Sequence, residues 1–469
     1  MGREAVQQAK LRGASVWPHL SIDLVSRGLS LGRRNYSPKF RVTSLGQVDA
    51  VTKAGGWSEI RYGSGVEESS LLTPECTVSV SDKDGSLIDI LETYDPRGSA
   101  ARADWGADGL LDADWWRLFT GILSDWARDE PYTTLTMKVD DSWLRNPLPS
   151  GIFQRAISGS AEDATISGTP HPLVMGIFDS LVLTARGSVP MVNVRYDKDT
   201  GYWWALSAGR MVSIDRLYFN GVPQGEAGWS VFNGVYGDAQ LTFVSIAEGY
   251  QPRKDTIVSV DCHGPDEDGD SAGDTLTGAP DQLVAVFEEF GYRRPPLTTW
   301  RGPSDAVDQV SAARISEFFA LHRCESARVF GGDQDAATIA ETAASFLECH
   351  GFTRIGWDEF GKIEFALIDP DDLEPDSTKR IDMALHHRDK RPSFEPGDMR
   401  EVYTDVVEPY GYIPADQKFS GAVEATDMSA LPDGQVAKLV IDNPWTQARL
   451  FQDLADLNPQ PPADPEVPT

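Results

Sequence analysis

Apolar and polar residues alternate most clearly in WWRLFTGILSDWARDEPYTTLTMKVDD, residues Trp115–Asp141. Leu118, Thr120, Ile122 and Ser124 share one parity, and Phe119, Gly121, Leu123 and Asp125 share the other. In the next run Leu135, Met137 and Val139 stand opposite Thr134, Thr136, Lys138 and Asp140. A period of two predicts strands with one buried and one wet face. Pro131 cannot continue a paired central strand, so Asp129–Pro131 is read as a hairpin turn. Upstream, TVSVSD (Thr77–Asp82) predicts a further strand, followed by a turn at Asp84–Gly85 and a polar crossing rich in Asp and Gly. Leu72–Val139 is therefore a strand-turn-strand block around which the rest of the chain is organised.

Before the block, residues 1–14 have few apolar anchors and read as an N-terminal arm or a short frayed helix. Extended runs follow over 19–60, broken at Gly28, Gly32 and Pro38. Residues 15–150 are expected to form an antiparallel β-barrel or sandwich. Asp104–Asp114, near Trp105, Trp115 and Trp116, is expected to be a long insertion loop whose aromatics pack at its base.

After the block, Asn146–Gly151 is a Pro-rich exit. Residues 151–265 predict a second β domain of short strands, with a turn at Asp197–Gly201 and a hairpin at Asn220–Gly221, the strongest short-range hairpin signal. Past a polar loop, Leu283, Val284, Val286, Phe287 and Phe290 fall on one face of a predicted helix, Asp281–Gly291. A second helix, Ala336–His350, carries Ile339, Ala343, Phe346 and Leu347 at helical spacing, with Asp333 or Asp335 as cap and Gly351 as terminator. A hairpin over Arg354–Ile368, turning at Glu359–Gly361, completes an α+β domain over 281–380. Residues 381–457 contain the strands VYTDVVEPYGYI and AKLVIDNPW and a short helix at Thr446–Leu457. The acidic, Pro-rich 458–469 is read as a disordered tail. The fold class is mainly β with an α+β module, multi-domain.

A length of 469 residues calls for two to four cores. High Trp (13), Gly (42) and Pro (30) favour turn-rich β structure over a helical bundle. The formal net charge of −30 repels phosphate backbones, which disfavours a nucleic-acid-gripping role but leaves room for a channel through which DNA slides. The start lacks an apolar secretory core, and Val6 stands where a myristoylation signal needs Ser or Thr. With no run of 18 or more apolar residues, no membrane anchor is expected.

Candidate chemistry is sparse. The four cysteines, Cys76, Cys262, Cys324 and Cys349, form no C-x-x-C pair and read as buried free thiols. Among the seven histidines, His19, His171, His263, His322, His350, His386 and His387, no H-E-x-x-H occurs, and the adjacent His386 and His387 would face opposite sides of a strand. Three acidic clusters invite calcium. Asp266–Asp270 has Ser271 where an EF-hand needs Gly, while Asp82–Gly85 and Asp197–Gly201 are better explained as Asp-bonded turns. Ser158 has no G-x-S-x-G elbow, and paired carboxylates among 72 acidic residues are uninformative. No catalytic residue, metal ligand or cofactor site is assigned, and no enzyme is expected.

Two phrases carry a resemblance. FTGILSDW followed by TLTMKVDDSWLRNPLP resembles the first domain of tail hub and baseplate proteins of long-tailed bacteriophages, in which F-x-G-x-[IVL] leads into a strand ending in Asp and a Leu-Pro exit. Pro170-His-Pro-Leu-Val-Met-Gly176 and the later Asn220-Gly221-Val222 resemble the second domain of the same family. The resemblance implies tail-tube-like β-barrels, the second at 381–457, in a trimeric hub of a phage or gene transfer agent. Its implied partners are the tail tube and distal tail proteins and a tip, spike or fibre protein, with DNA passing only transiently through the lumen. Localisation would be the virion, after synthesis in the host cytoplasm. The alternatives are a distal tail protein forming a hexameric ring and a carbohydrate-binding tail-tip adhesin using Trp203–Trp204 and the Trp105–Trp116 loop.

Overall fold

The computed structural model describes residues 2–38, 42–43, 46–47, 50–58, 60, 73–148, 153, 168–179, 189–197, 201–236, 239–250, 252, 256–265, 273–291, 306–321, 325–331, 337–350, 353–367, 405–414, 417–426 and 438–445. They form a mainly β chain of several sheets with interspersed helices. Contacts group it into two units, residues 1–146, 286–312 and 354–366 in one, and 147–285, 313–353 and 367–469 in the other.

The first unit opens with helix α1 (Gly2–Leu11), the helical form of the predicted arm. Strands β1 (Val16–Ser26) and β2 (Leu29–Ser37) follow, then a two-residue ladder of β3 (Val42–Thr43) and β4 (Gly46–Gln47), then β5 (Ala50–Trp57) and β6 (Glu75–Ser81). After helix α2 (Ser86–Tyr94) come β7 (Ala100–Ala107), β8 (Trp116–Asp129) and β9 (Tyr132–Lys138). Seven of these strands close into a barrel in the order β1-β2-β5-β6-β9-β8-β7. Leu20, Ile22 and Leu24 on β1, Cys76, Val78 and Val80 on β6, Phe119 and Leu123 on β8, and Leu135 and Met137 on β9 are all buried in its interior, and on β8 and β9 they follow the alternation read from the sequence.

Two expectations for this region are corrected. The polar crossing after Gly85 contains α2, whose Leu87, Ile88 and Leu91 are buried. The buried Asp82 carboxylate accepts from the Leu87 and Ile88 backbone N–H groups at 3.0 Å each and from the Thr133 hydroxyl at 2.9 Å. One side chain thus satisfies open donors of the helix start and ties it to β9. The insertion loop expected at Asp104–Asp114 is shorter, because β7 runs through Ala107 and pairs Trp105 with Trp116. The hairpin turn at Asp129–Pro131 is present, closed by a cis Glu130–Pro131 bond.

The second unit begins with β10 (Pro147–Leu148) and continues with β11 (Leu173–Phe178), β12 (Val189–Pro190), β13 (Val192–Asp197), β14 (Gly201–Ala208), β15 (Ser213–Phe219), β16 (Val222–Pro223), β17 (Trp229–Tyr236), β18 (Ala239–Ile246) and β19 (Val258–His263). Strands β11–β19 form two sheets, and β10 pairs separately with a two-residue strand at Ala337–Thr338. One runs β13-β14-β18-β17. The other runs β16-β15-β19-β11 and ends on β20 (Ala327–Phe330), with β12 also on β19. Both contribute to one core that includes Val174, Phe178, Trp204, Leu206, Val244, Ile246 and Val260. The Asn220–Gly221 hairpin forms as read, with φ of 46° and 78°, the paired positive angles of a type I′ turn.

Residues 281–380, expected as one α+β domain, are divided between the two units. Strand β20 pairs along β11 from Leu173↔Phe330 to Gly176↔Ala327, so a strand from the expected α+β segment completes a sheet begun far upstream. Gly176, at φ +83°, permits that approach, since a Cβ there would lie 2.2 Å from the Ser326 carbonyl oxygen.

Helix α3 (Ala279–Ala285) passes into a π turn over Val286–Gly291, with Leu283, Val286 and Phe287 buried. Helix α4 (Gln309–Leu321) follows. A two-residue β21 (Ala337–Thr338) then leads into α5 (Ile339–Cys349). The α5 cap is Thr338 rather than Asp333 or Asp335, in a reciprocal box with Glu341 that satisfies backbone donors on both sides. In the first unit β22 (Thr353–Trp357) and β23 (Ile363–Leu367) form the predicted hairpin. The Asp358 carboxylate organises its turn by accepting from Phe360 and Lys362 N–H at 2.9 and 2.8 Å. Last, β24 (Asp405–Ile413), β25 (Lys418–Thr426) and β26 (Lys438–Val440) form a three-stranded sheet ordered β25-β24-β26. Within 381–457 the described residues thus form an open sheet. The expected helix at 446–457, the terminator Gly351 and the tail at 458–469 lie outside the described residues. Among the described residues no helix is long and apolar enough to cross a membrane.

Gly121, the glycine of the F-x-G-x-[IVL] phrase, sits on β8 close against the Lys138 backbone of β9. A Cβ there would lie 2.3 Å from the Lys138 carbonyl oxygen and 2.7 Å from the Phe119 ring. Gly121→Ala is expected to lower stability by roughly 1–3 kcal/mol through this overpacking, read as a lower urea midpoint, whereas an unchanged midpoint would show that the strands yield freely.

Candidate functional site

The strand register gathers arginine on the outer wall of the barrel, an unusual concentration in so acidic a chain. With Leu20 and Ile22 facing inward, His19 and Ser21 face outward, and the pairings Ser21↔Asn35, Ser21↔Arg102 and His19↔Asp104 extend that outer row across β2, β1 and β7. On β8 the row continues through Thr120 and Arg117, which oppose Arg102 and Asp104 across a register shift. That shift brings Asp104 between two guanidinium groups. Arg117 Nε donates to its Oδ1 at 2.5 Å, and Arg102 Nε lies 3.2 Å from its Oδ2. Arg117 Nη1 also donates to Thr120 Oγ1 at 3.1 Å, and Arg33 holds Asp23 through two parallel bonds of 2.5 and 2.9 Å.

Burial pulls the Arg102 pKa below its ordinary value, and Asp104 opposes the change. His19 is fully buried, with its ring edge against Trp115 at 5.1 Å. Burial lowers its pKa, while Asp104 pulls the other way. A neutral imidazole therefore underlies the arginine row.

Above this row lies a cleft of about 610 Å³ lined by Arg102, Arg117, Asp112, Trp115 and Trp116, the start of α1, and Glu359 and Phe360 of the β22–β23 turn. Arg3 stands 5.3 Å over the Trp116 ring, and Arg117 stands 5.9 Å over Phe360. Gly2 lets α1 begin there, because a Cβ would lie 2.3 Å from the Trp115 carbonyl oxygen. Guanidinium groups fixed against aromatic rings suit the recognition of a flat anion such as a carboxylate. His19 lies beneath Trp115, and Asp104 is held by two arginines.

The residues singled out from the sequence do not converge on this cleft, apart from His19 beneath it and the tryptophans on its wall. His171 packs its ring on Phe153 at 4.6 Å, and His263 Nε2 lies 3.3 Å from Asp215. His350 stands edge-on to Phe319 and Phe346, and burial alone lowers its pKa to about 4. Cys76 and Cys262 are buried free thiols with pKa pushed up by burial, Cys76 to about 12. Half-buried Cys349 is also a free thiol and is likewise raised to about 12. Asp84 bonds the backbone and hydroxyl of Ser86, the turn role read for it, and Asp82 acts as the α2 cap. Among the described residues no group of three or more His, Cys, Asp or Glu stands so as to hold a metal ion. The Asp266–Asp270 cluster, Asp199, Ser158, Cys324, His322, His386 and His387 lie outside the described residues.

The tryptophans proposed as sugar platforms divide. Trp204 and Trp115 are buried, Trp203 packs on Phe232 at 4.8 Å, and Trp105 keeps 36% of its surface exposed. Adjacent positions on β14 send Trp203 and Trp204 to opposite faces, so they cannot form one platform.

No family model matches the chain, and no curated protein matches it. Among solved structures, a chain from one titled "Virion of native gene transfer agent (GTA) particle" is 13% identical, with 54% of this chain and 83% of that chain covered, at a TM-score of 0.24. A likeness at that TM-score carries no argument about fold or function.

Sequence reasoning missed the arginine row because Arg33, Arg102 and Arg117 are far apart in the chain and each is an ordinary polar residue on an alternating strand. The available signal was His19 and Asp104 standing within otherwise apolar or small-residue runs. Asp104→Ala leaves two partly buried guanidinium groups without their shared carboxylate and is expected to destabilise the protein by roughly 3 kcal/mol, measured by denaturant unfolding. An effect near zero would mean that water replaces the carboxylate. For His350, folding depresses the pKa, so the unfolded chain takes up the proton first and stability falls as pH drops from about 6.5 to about 4. The loss from this group is about 3 kcal/mol by that linkage. The Tm difference between wild type and His350→Gln should accordingly shrink across that window; a constant difference would place the imidazole in contact with water.

Proposed function

We propose that this chain is a structural virion protein of a long-tailed phage or a gene-transfer particle, and within it the hub at the distal end of the tail. The hub closes the tail tube, connects it to tip or fibre proteins and leaves a passage for DNA. One observation carries the reading. The residues that resemble the first domain of tail hubs, FTGILSDW and TLTMKVDD, form β8 and β9 of a closed seven-stranded barrel. The glycine of that phrase is the residue whose missing side chain lets β8 and β9 meet.

Such a protein works through assembly free energy rather than turnover, with buried area and paired strand edges at subunit contacts setting its strength. A threefold ring, with tail-tube and distal tail proteins as neighbours, is the arrangement the resemblance implies. The net charge of −30 per chain supports passage of DNA without adhesion, since a lumen lined even partly by carboxylates repels phosphate. The buried Trp115 and Trp204 weigh against the adhesin alternative. The cleft beside Arg102 and Arg117 suits a carboxylate-bearing segment of a neighbour better than a sugar.

Light scattering of the purified protein, alone and mixed with tail-tube protein, tests the proposal. A threefold assembly, free or formed on the tube, is expected. A sixfold ring on the tube would favour a distal tail protein, and a monomer indifferent to tube protein would overturn both.

A further inference from the structure

We propose that two copies of this chain pair edge to edge through β25, antiparallel, about a twofold axis at Gly421. Strand β25 has β24 on one side and, among the described residues, no strand on the other. It is exposed along most of its length, including Val423 at 42%. A nine-residue edge without Pro offers a row of backbone donors and acceptors, which proteins either guard or use for pairing. A sheet of three strands with so little burial gains stability by extension.

The sequence of β25, KFSGAVEAT, identifies the second copy as the occupant. Laid antiparallel on itself about Gly421, it sets Lys418 opposite Glu424 of the second copy, Phe419 opposite Val423, and Ser420 opposite Ala422. Twofold symmetry makes each pair twice. Opposite charges and apolar pairs placed directly across antiparallel strands each stabilise the ladder, and the contact is isologous, as a closed dimer requires. Slipping the register by two residues places Lys418 opposite Thr426 and Ser420 opposite Glu424, so both charge pairs are lost. Slipping by one exchanges the faces. Gly421 is suited to the axis, because the Tyr410 ring of β24 already covers its face; a Cβ would come within 2.6 Å of it. The product is one continuous sheet ordered β26-β24-β25-β25-β24-β26 across the axis.

This pairing goes beyond the hub reading and is independent of it, since a threefold ring contains no twofold axis. The test is the light-scattering mass of the full chain and of K418E, E424K and K418E/E424K, all at exposed positions. Wild type should contain an even number of chains, six where two threefold rings pair back to back. Each single substitution sets like charges opposite each other twice and should halve the mass, and the double exchange should restore it. A wild-type mass unaffected by either single substitution, or a double variant that stays halved, overturns the pairing. A halved particle of three chains supports the pairing and the hub alike. A halved particle of one chain supports the pairing and removes the free trimer. A three-chain wild type indifferent to all variants sinks the pairing and leaves the hub reading intact.

Discussion

Closure of the barrel is the constraint on which the first unit depends. A ring of strands can alternate direction throughout only if their number is even, and this barrel has seven. One neighbouring pair must therefore be parallel, and it is β2 with β5, joined through Tyr36↔Ala50 and Ser37↔Val51 while the other six pairs are antiparallel. A parallel step needs a crossover rather than a tight turn. The small β3–β4 ladder lies between the two strands in the chain. The long antiparallel pairs β1–β2, β1–β7 and β8–β9 then hold the wall in register around the apolar interior.

Closure also removes the edges from the barrel, and it creates an outer wall that must be covered or charged. Both solutions occur side by side. Trp17, Trp115 and α1 cover one part, burying His19 beneath them, and arginines with their carboxylates occupy the next. Asp104 belongs to both regions. Its small exposure forces it to carry its charge against two guanidinium groups, and those groups shape the adjoining cleft. Strand β25 meets the opposite situation, an edge that no strand covers among the described residues, and its self-complementary sequence fits that setting.

Strand content was legible wherever alternation was strict. The parity of Leu118–Asp125 and of Thr134–Asp140, the Asn220–Gly221 hairpin and the 354–368 hairpin all follow from local periodicity and turn chemistry, because those preferences are settled by residues within a few positions of one another. Helix α2 was not legible, since its cap is a side chain on the preceding turn that also bonds β9, and SLIDILETY contains only a short apolar period. The candidate cleft was legible only in fragments. His19 and the tryptophans stood out, but Arg102 and Arg117 acquired meaning when a register shift between β7 and β8 brought both to Asp104.

What the sequence determined by itself is the mainly β character, the alternation along β8 and β9 and the type of several turns, because alternation, Pro and Asn-Gly act through local sterics and burial. What only the tertiary structure decided is which strands are neighbours. Seven-strand closure with one parallel pair, the use of β20 to complete a sheet begun at β11, and the convergence of Arg102, Asp104 and Arg117 all join residues far apart in the chain. Their pairing is selected by the whole packed arrangement, and no local preference encodes it.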